Sequence, residues 1–163
     1  MPISEIYTGT GSVTFSATQS TALPLAALIT GSTSRAWIVG VRIGIGATSV
    51  SGGSTLFYLS RLSATTAAGG GGTGTVANDA NAPASLATFS YATTGTWSTA
   101  PTATASTILW QQELPNTTGS SWEEFPPLGY EYEMNISTGV GVFINNNGTA
   151  ASQQYVFELV WSE

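Results

Sequence analysis

Glu123, Glu124, Glu131 and Glu133 are the densest group of chemically capable side chains in the sequence. Paired carboxylates can act as acid and nucleophile in glycoside hydrolysis, and carboxylate clusters can hold calcium. The pattern around these four points elsewhere. Glu131 and Glu133 alternate with Tyr130, Tyr132 and Met134, the spacing of solvent-facing positions on a half-buried strand. Calcium loops are rich in aspartate, and Asp79 is the only aspartate here. The four glutamates are therefore expected on the surface, holding no metal. Nucleophilic catalysis lacks its parts as well: without histidine there is no Ser-His-Asp or Cys-His pairing, and without lysine no Schiff base or Ser-Lys pair. The glycine run at 69–72 lacks the Gly-Lys-Ser/Thr and the following helix of a phosphate cradle, and reads as a flexible loop. Neither enzymatic activity nor a cofactor is expected.

The remaining candidates are aromatic. Trp97, Trp110 and Trp122 lie on separate segments and are open to two readings: a sugar-stacking platform, or side chains of the core, an interface or a loop plug. Trp97 sits among Thr and Ser, which suits a plug over the core or a contact residue. Asn116-Thr-Thr, Asn135-Ile-Ser and Asn147-Gly-Thr match glycosylation sequons, but read as polar strand and turn residues in a chain with no export signal.

Composition narrows the partners. The 163 residues carry three basic and nine acidic side chains, a net charge of -6. This argues against nucleic acid, because phosphate binding draws on several Lys or Arg contacts, and anionic membranes are not expected for the same reason. The absence of cysteine leaves the redox compartment open. The start, Met1-Pro-Ile-Ser-Glu, lacks the basic region of a signal peptide. The apolar patch at 22–29 is too short to span a bilayer and contains Pro24. A soluble protein not exported by the usual route is expected. Five Trp, six Tyr and six Phe are too many for a disordered chain, so one packed domain over 1–163 is expected.

Period-2 alternation supplies the elements that would position these residues. Strands are expected at 12–16, 23–29, 35–45, 55–62, 85–92, 106–113, 130–136, 140–145 and 154–161; at 23–29 the Leu-Ala content also permits a helical turn, and the Thr-Gly-Ser-Thr turn that follows suits a strand ending there. In 35–45, Trp37, Val39, Val41, Ile43 and Ile45 share one face, and the glycines opposite invite close backbone approach. The strand at 55–62 looks buried on both sides. In 130–136, Tyr130, Tyr132, Met134 and Ile136 form the buried face. In 154–161, Tyr155, Phe157, Leu159 and Trp161 do so, and such bulk at the chain's end must pack centrally. The stretch 63–84 reads as a long mobile loop. The fold class is all-β: a single β-sandwich, expected as a jelly roll of about eight strands with long Gly/Ala/Thr-rich loops.

The layout carries one family resemblance. It rests on the opening Ile6-Tyr7-Thr8-Gly9-Thr10-Gly11-Ser12-Val13, the strand at 37–45, the Ala/Gly/Thr loop, the segment Phe125-Pro-Pro-Leu-Gly-Tyr130 and the closing strand at 156–163, which ends in an acid. In these features the chain resembles the small auxiliary proteins of tailed bacteriophages that decorate or cement the head. The resemblance implies a jelly-roll subunit, often trimeric, on the outer surface of the capsid, with the major capsid protein as partner and no catalysis. Contacts would then fall on Trp122, Phe125, Pro126 and Pro127, with Trp97 and the 63–84 loop as further candidates. The alternative is a carbohydrate-binding or tail-fibre, receptor-binding sandwich.

Overall fold

A computed structural model describes residues 5–15, 22–48, 52–63, 68–69, 75–146 and 152–163. Thirteen strands run in chain order: β1 Ile6–Phe15, β2 Leu23–Ile29, β3 Ala36–Thr48, β4 Ser54–Leu62, β5 Ala68–Gly69, β6 Thr75–Ala77, β7 Thr88–Tyr91, β8 Trp97–Thr99, β9 Ala103–Pro115, β10 Ser121–Glu124, β11 Tyr132–Met134, β12 Gly139–Asn146 and β13 Gln153–Ser162. The described residues include no helix.

The pairing pattern is that of one long antiparallel hairpin rolled up. β1 pairs β13, β2 pairs β12, β3 pairs β10 and β4 pairs β9, all antiparallel, so the hairpin's tip lies between β4 and β9. Rolling it sets β13 beside β3 and β12 beside β4. Two sheets result, ordered β10-β3-β13-β1-β6, with β11 also on β3, and β7-β2-β12-β4-β9. Packed face to face, they are a β-sandwich whose eight principal strands have jelly-roll order.

The stretch at the hairpin's tip is more structured than a loop. Within 63–84, residues 64–67 and 70–74 lie outside the described residues, and with them most of the 69–72 glycine run. The rest holds β5 and β6. β6 adds to the first sheet beside β1, β7 adds to the second beside β2, and β5 pairs β8. The insertion thus leaves one edge of the sandwich, extends both sheets at the opposite edge and returns.

Period-2 reading succeeded for β13, and the two-sided burial expected of β4 is observed. Tyr155, Phe157, Leu159 and Trp161 of β13 are all buried, in a strand that lies between β1 and β3. Trp161 stacks between Tyr7 (ring centroids 5.9 Å apart) and Phe89 (6.1 Å), tying β1, β13 and β7 together across the two sheets. β4 is buried on both faces as expected: Phe57 and Leu59 enter the core, and Tyr58, on the other face, stacks on Phe143 at 5.3 Å.

Two expectations need correction. In β3 the register shifts where Val160 pairs Gly40 and Trp161 pairs Ile38, leaving Val39 as the extra residue of a β-bulge. The bulge reverses the alternation. Ala36 and Ile38 face the core before it and Val41, Ile43 and Ile45 after it, while Trp37 and Val39 are only half-buried. The expected strand 130–136 is also not an inner strand. Only Tyr132–Met134 pair, with β3 alone, and of the expected buried face Met134 is buried while Tyr130 and Ile136 are exposed.

A small polar network crosses the core at one end. Thr55 on β4, Gln153 on β13 and Asn116 after β9 are all buried. The Asn116 Oδ1 accepts from the Thr55 hydroxyl at 2.7 Å and from the Gln153 amide at 3.0 Å, and its Nδ2 donates to the Gly52 carbonyl at 3.4 Å. Asn116 therefore ties the two sheets to a turn, and the asparagine of that sequon is buried while Thr117 and Thr118 are exposed.

Candidate docking surface

The edge of β3 builds the site. β10 pairs residues Val41 to Gly44 of β3, and β11 pairs Ala36 to Ile38 farther along the same strand. Between the two ladders, opposite the bulge at Val39, residues 125–131 leave the sheet edge and return to it. Local chemistry fixes the excursion. Pro127, Leu128, Gly129 and Tyr130 form a tight turn in which the Tyr130 N–H donates to the Pro127 carbonyl at 2.9 Å. Gly129 has φ of 90°, the left-handed conformation that glycine takes at the third position of a type II turn. The Gly129 N–H also donates to the Glu131 carboxylate at 2.8 Å.

At the base of the excursion, the Phe125 ring lies on the backbone of Gly40. A Cβ on Gly40 would come within 2.5 Å of that ring, so only glycine permits the seat. The Arg42 guanidinium sits 5.1 Å from the ring centroid, a cation–π distance, and pairs with Glu158 at 2.6 Å and Glu123 at 3.2 Å.

What this framework presents is apolar. Leu128 is 95% exposed at the tip of the turn, Tyr130 77%, Phe125 47% and Trp122 43%. Pro127 is exposed and Pro126 half-buried. Trp122, Phe125, Pro126 and Pro127 are thus brought together on one edge. Trp97 is not with them: it lies on β8, half-buried, and its indole N–H donates to the Pro24 carbonyl of β2 at 3.1 Å. Trp110 is half-buried against the core. Sequence reasoning missed Leu128 and Tyr130, the two most exposed of the group. The signal was present in Pro-Leu-Gly-Tyr, a type II turn sequence that puts its second residue at the apex.

The four glutamates of the region are dispersed in role. Glu123 pairs with Arg42, Glu133 pairs with Arg35 at 2.9 Å, Glu131 holds the turn, and Glu124 stands near Tyr132. Burial, with the Glu124 charge adding to it, pushes the Tyr132 hydroxyl above its usual value. Among the described residues no three His, Cys, Asp or Glu side chains gather as a metal site would require. Beside Trp122 lies an open hollow of about 330 Å³, lined by Thr10, Arg42, Glu123, Val156 and Glu158.

A separate carboxylate has a structural post. Glu163 accepts from the Ser85 hydroxyl, the Leu86 and Ala87 amides (2.8 and 2.9 Å) and the Trp161 indole (3.1 Å). Burial alone would raise its pKa, but these four hydrogen bonds outweigh burial and hold it below the ordinary carboxylate value. It clamps the segment leading into β7 onto β13. No family model, curated protein or solved structure matches the chain.

Proposed function

We propose that this protein is a non-enzymatic subunit of a phage virion that decorates the outer surface of the capsid, binding across neighbouring copies of the major capsid protein and stabilising the shell. The observation that carries the reading is the apolar rim from Trp122 to Tyr130, displayed on a stiff double-sheet scaffold. Aromatic and large aliphatic anchors surrounded by polar surface supply most of the energy of protein–protein contacts. The whole-chain resemblance to head-decorating proteins supplies the partner. A ligand that binds only the assembled shell stabilises it in proportion to the logarithm of its concentration over its dissociation constant. Closed trimeric association would give each subunit several simultaneous attachments, hence avidity.

Particles lacking the protein are expected to lose their genomes at lower temperature than complete ones, and added purified protein to restore the difference. Equal heat stability, or location on tails, would refute the cementing role. A second reading, glycan binding, is favoured by the hollow beside Trp122 with its two carboxylates and arginine. A glycan array decides it: binding to one sugar family that a single Trp122→Ala change abolishes would establish the second reading.

A further inference from the structure

We infer that the turn at 127–130 is a plug: Leu128 seats in an apolar pocket on the partner protein, and the rim of that pocket is basic. The inference rests on the docking function proposed above and specifies the partner's chemistry.

Three observations lead to it. Leu128 is the most exposed large apolar side chain of the described residues, at 95%, and it projects from a turn. A side chain presented this way is shaped to enter a concavity. The turn is also preorganised by Pro127, the left-handed Gly129, the Tyr130-to-Pro127 hydrogen bond, the Glu131 carboxylate on the Gly129 N–H and Phe125 seated on Gly40. Little conformational freedom remains to be lost when it docks.

Charge selects the occupant. Glu123, Glu124 and Glu131 stand at the base of the turn, and the chain has three arginines and no lysine. Arg42 is already paired with Glu123 and Glu158, Arg35 with Glu133, and Arg61 donates to the Glu133 carbonyl at 3.0 Å, which among the described residues leaves the charges of Glu124 and Glu131 without an arginine in an ion pair. The surroundings of the plug are therefore acidic, and a basic rim complements them. A second copy of this chain presenting the same edge would set Glu124 and Glu131 against their own equivalents, a like-charge contact that disfavours self-docking. An anionic membrane is disfavoured by the same charges.

The test uses virus particles that carry this chain, stripped of it, with purified wild-type protein and the Leu128→Ala, Leu128→Asp and Glu124→Gln variants added back. Bound protein is measured by co-sedimentation at low and high salt. Leu128 lies outside the core, so all variants are expected to unfold at the wild-type temperature. Leu128→Ala is expected to weaken binding by about tenfold to a hundredfold, the loss of one buried leucine, and Leu128→Asp by more. Glu124→Gln is expected to weaken binding at low salt and to flatten its salt dependence. Wild-type binding that both Leu128 variants retain overturns the plug while leaving the docking function standing. Failure of wild type to bind overturns both. Leu128-dependent self-association in sedimentation of the protein alone, or Leu128-dependent binding to phosphatidylcholine vesicles, would show a different occupant and overturn the assignment.

Discussion

Replacing Trp161 with alanine tests whether the end of the chain is the centre of the fold. Trp161 is fully buried, stacks on Tyr7 and Phe89 and donates its indole N–H to Glu163. Truncating a buried aromatic to alanine costs about 3–5 kcal/mol. Against a total stability of about 5–15 kcal/mol, that is from a fifth of the stability to all of it. For a chain of this length each kcal/mol moves the thermal midpoint by about 2–4 °C, so a fall of about 10 °C is expected. Trp161→Phe separates the two contributions. It keeps an aromatic ring between Tyr7 and Phe89 but removes the donor to Glu163, a charge-assisted bond worth about 1.5–3 kcal/mol, so its midpoint should fall between those of wild type and Trp161→Ala. Thermal and urea unfolding followed by circular dichroism measures both. A Trp161→Ala midpoint within about 2 °C of wild type would refute the argument that this side chain joins the two sheets.

Glu163 carries a pH prediction. Its folded pKa lies below the ordinary 4.5, so its contribution to stability is fully present above that value and lost as pH falls through the lower folded value. Glu163→Gln should therefore lower stability at pH 7 and show a shallower acid loss, and hydrogen exchange at Leu86 and Ala87 should accelerate. Asn116→Ala removes the acceptor shared by Thr55 and Gln153 and should cost about 1–3 kcal/mol in urea unfolding; an unchanged midpoint would mean that the network contributes no net stability. Gly40→Ala should expel the Phe125 ring, speeding chymotrypsin cleavage after Leu128 and Tyr130, while the unfolding free energy changes by less than about 1 kcal/mol, because Phe125 is half-exposed. Unchanged cleavage would show that the ring does not depend on that seat.

What the sequence made legible depended on whether pairing left the alternation undisturbed. β13 stood out because it is flanked on both sides and carries large apolar residues toward the core, whereas the Leu-Ala run of β2 shows no alternation and equally permits a helical turn until β7 and β12 are seen to flank it. In β3 one bulged residue moved Trp37 and Val39 off the expected face, since alternation records parity and a bulge changes it. The alternation from 130 to 136 is as regular as that of β13, yet only three of its residues pair, because periodicity does not tell an inner strand from a short edge. β10 was hidden for the opposite reason: Ser-Trp-Glu-Glu offers no apolar alternation, and its pairing is set by the length of β3 beside it. The Asn116 network joins residues 61 and 37 positions apart, a distance no local pattern spans. At the site, the aromatic and proline members were legible by type. Tyr130 was the aromatic exception, read into the buried face of an expected strand, and Leu128 was legible only as part of a turn sequence; the exposure of both follows from how the chain leaves the edge of β3.

That departure connects the fold to its proposed use. A sandwich has open edges, and an exposed edge strand invites pairing with another chain. Lysines on the edge are the common remedy, and this sequence has none. It blunts three of its four sheet edges with backbone instead, β9 forming the fourth. At one side, the insertion lays β6 beside β1 and β7 beside β2. At the other, β10 and β11 share the edge of β3, and the bulge at Val39 falls where neither is paired. A continuous partner strand along β3 would cover that edge but leave no loop. Splitting it in two forces residues 125–131 outward, and the seat of Phe125 on Gly40 with the turn at Gly129 sets the direction in which they project. The same interruption that keeps the outer flank of the sheet from being one long uniform strand thus places Leu128 at the apex of a rigid turn, so edge protection and the proposed docking surface arise from one structural feature.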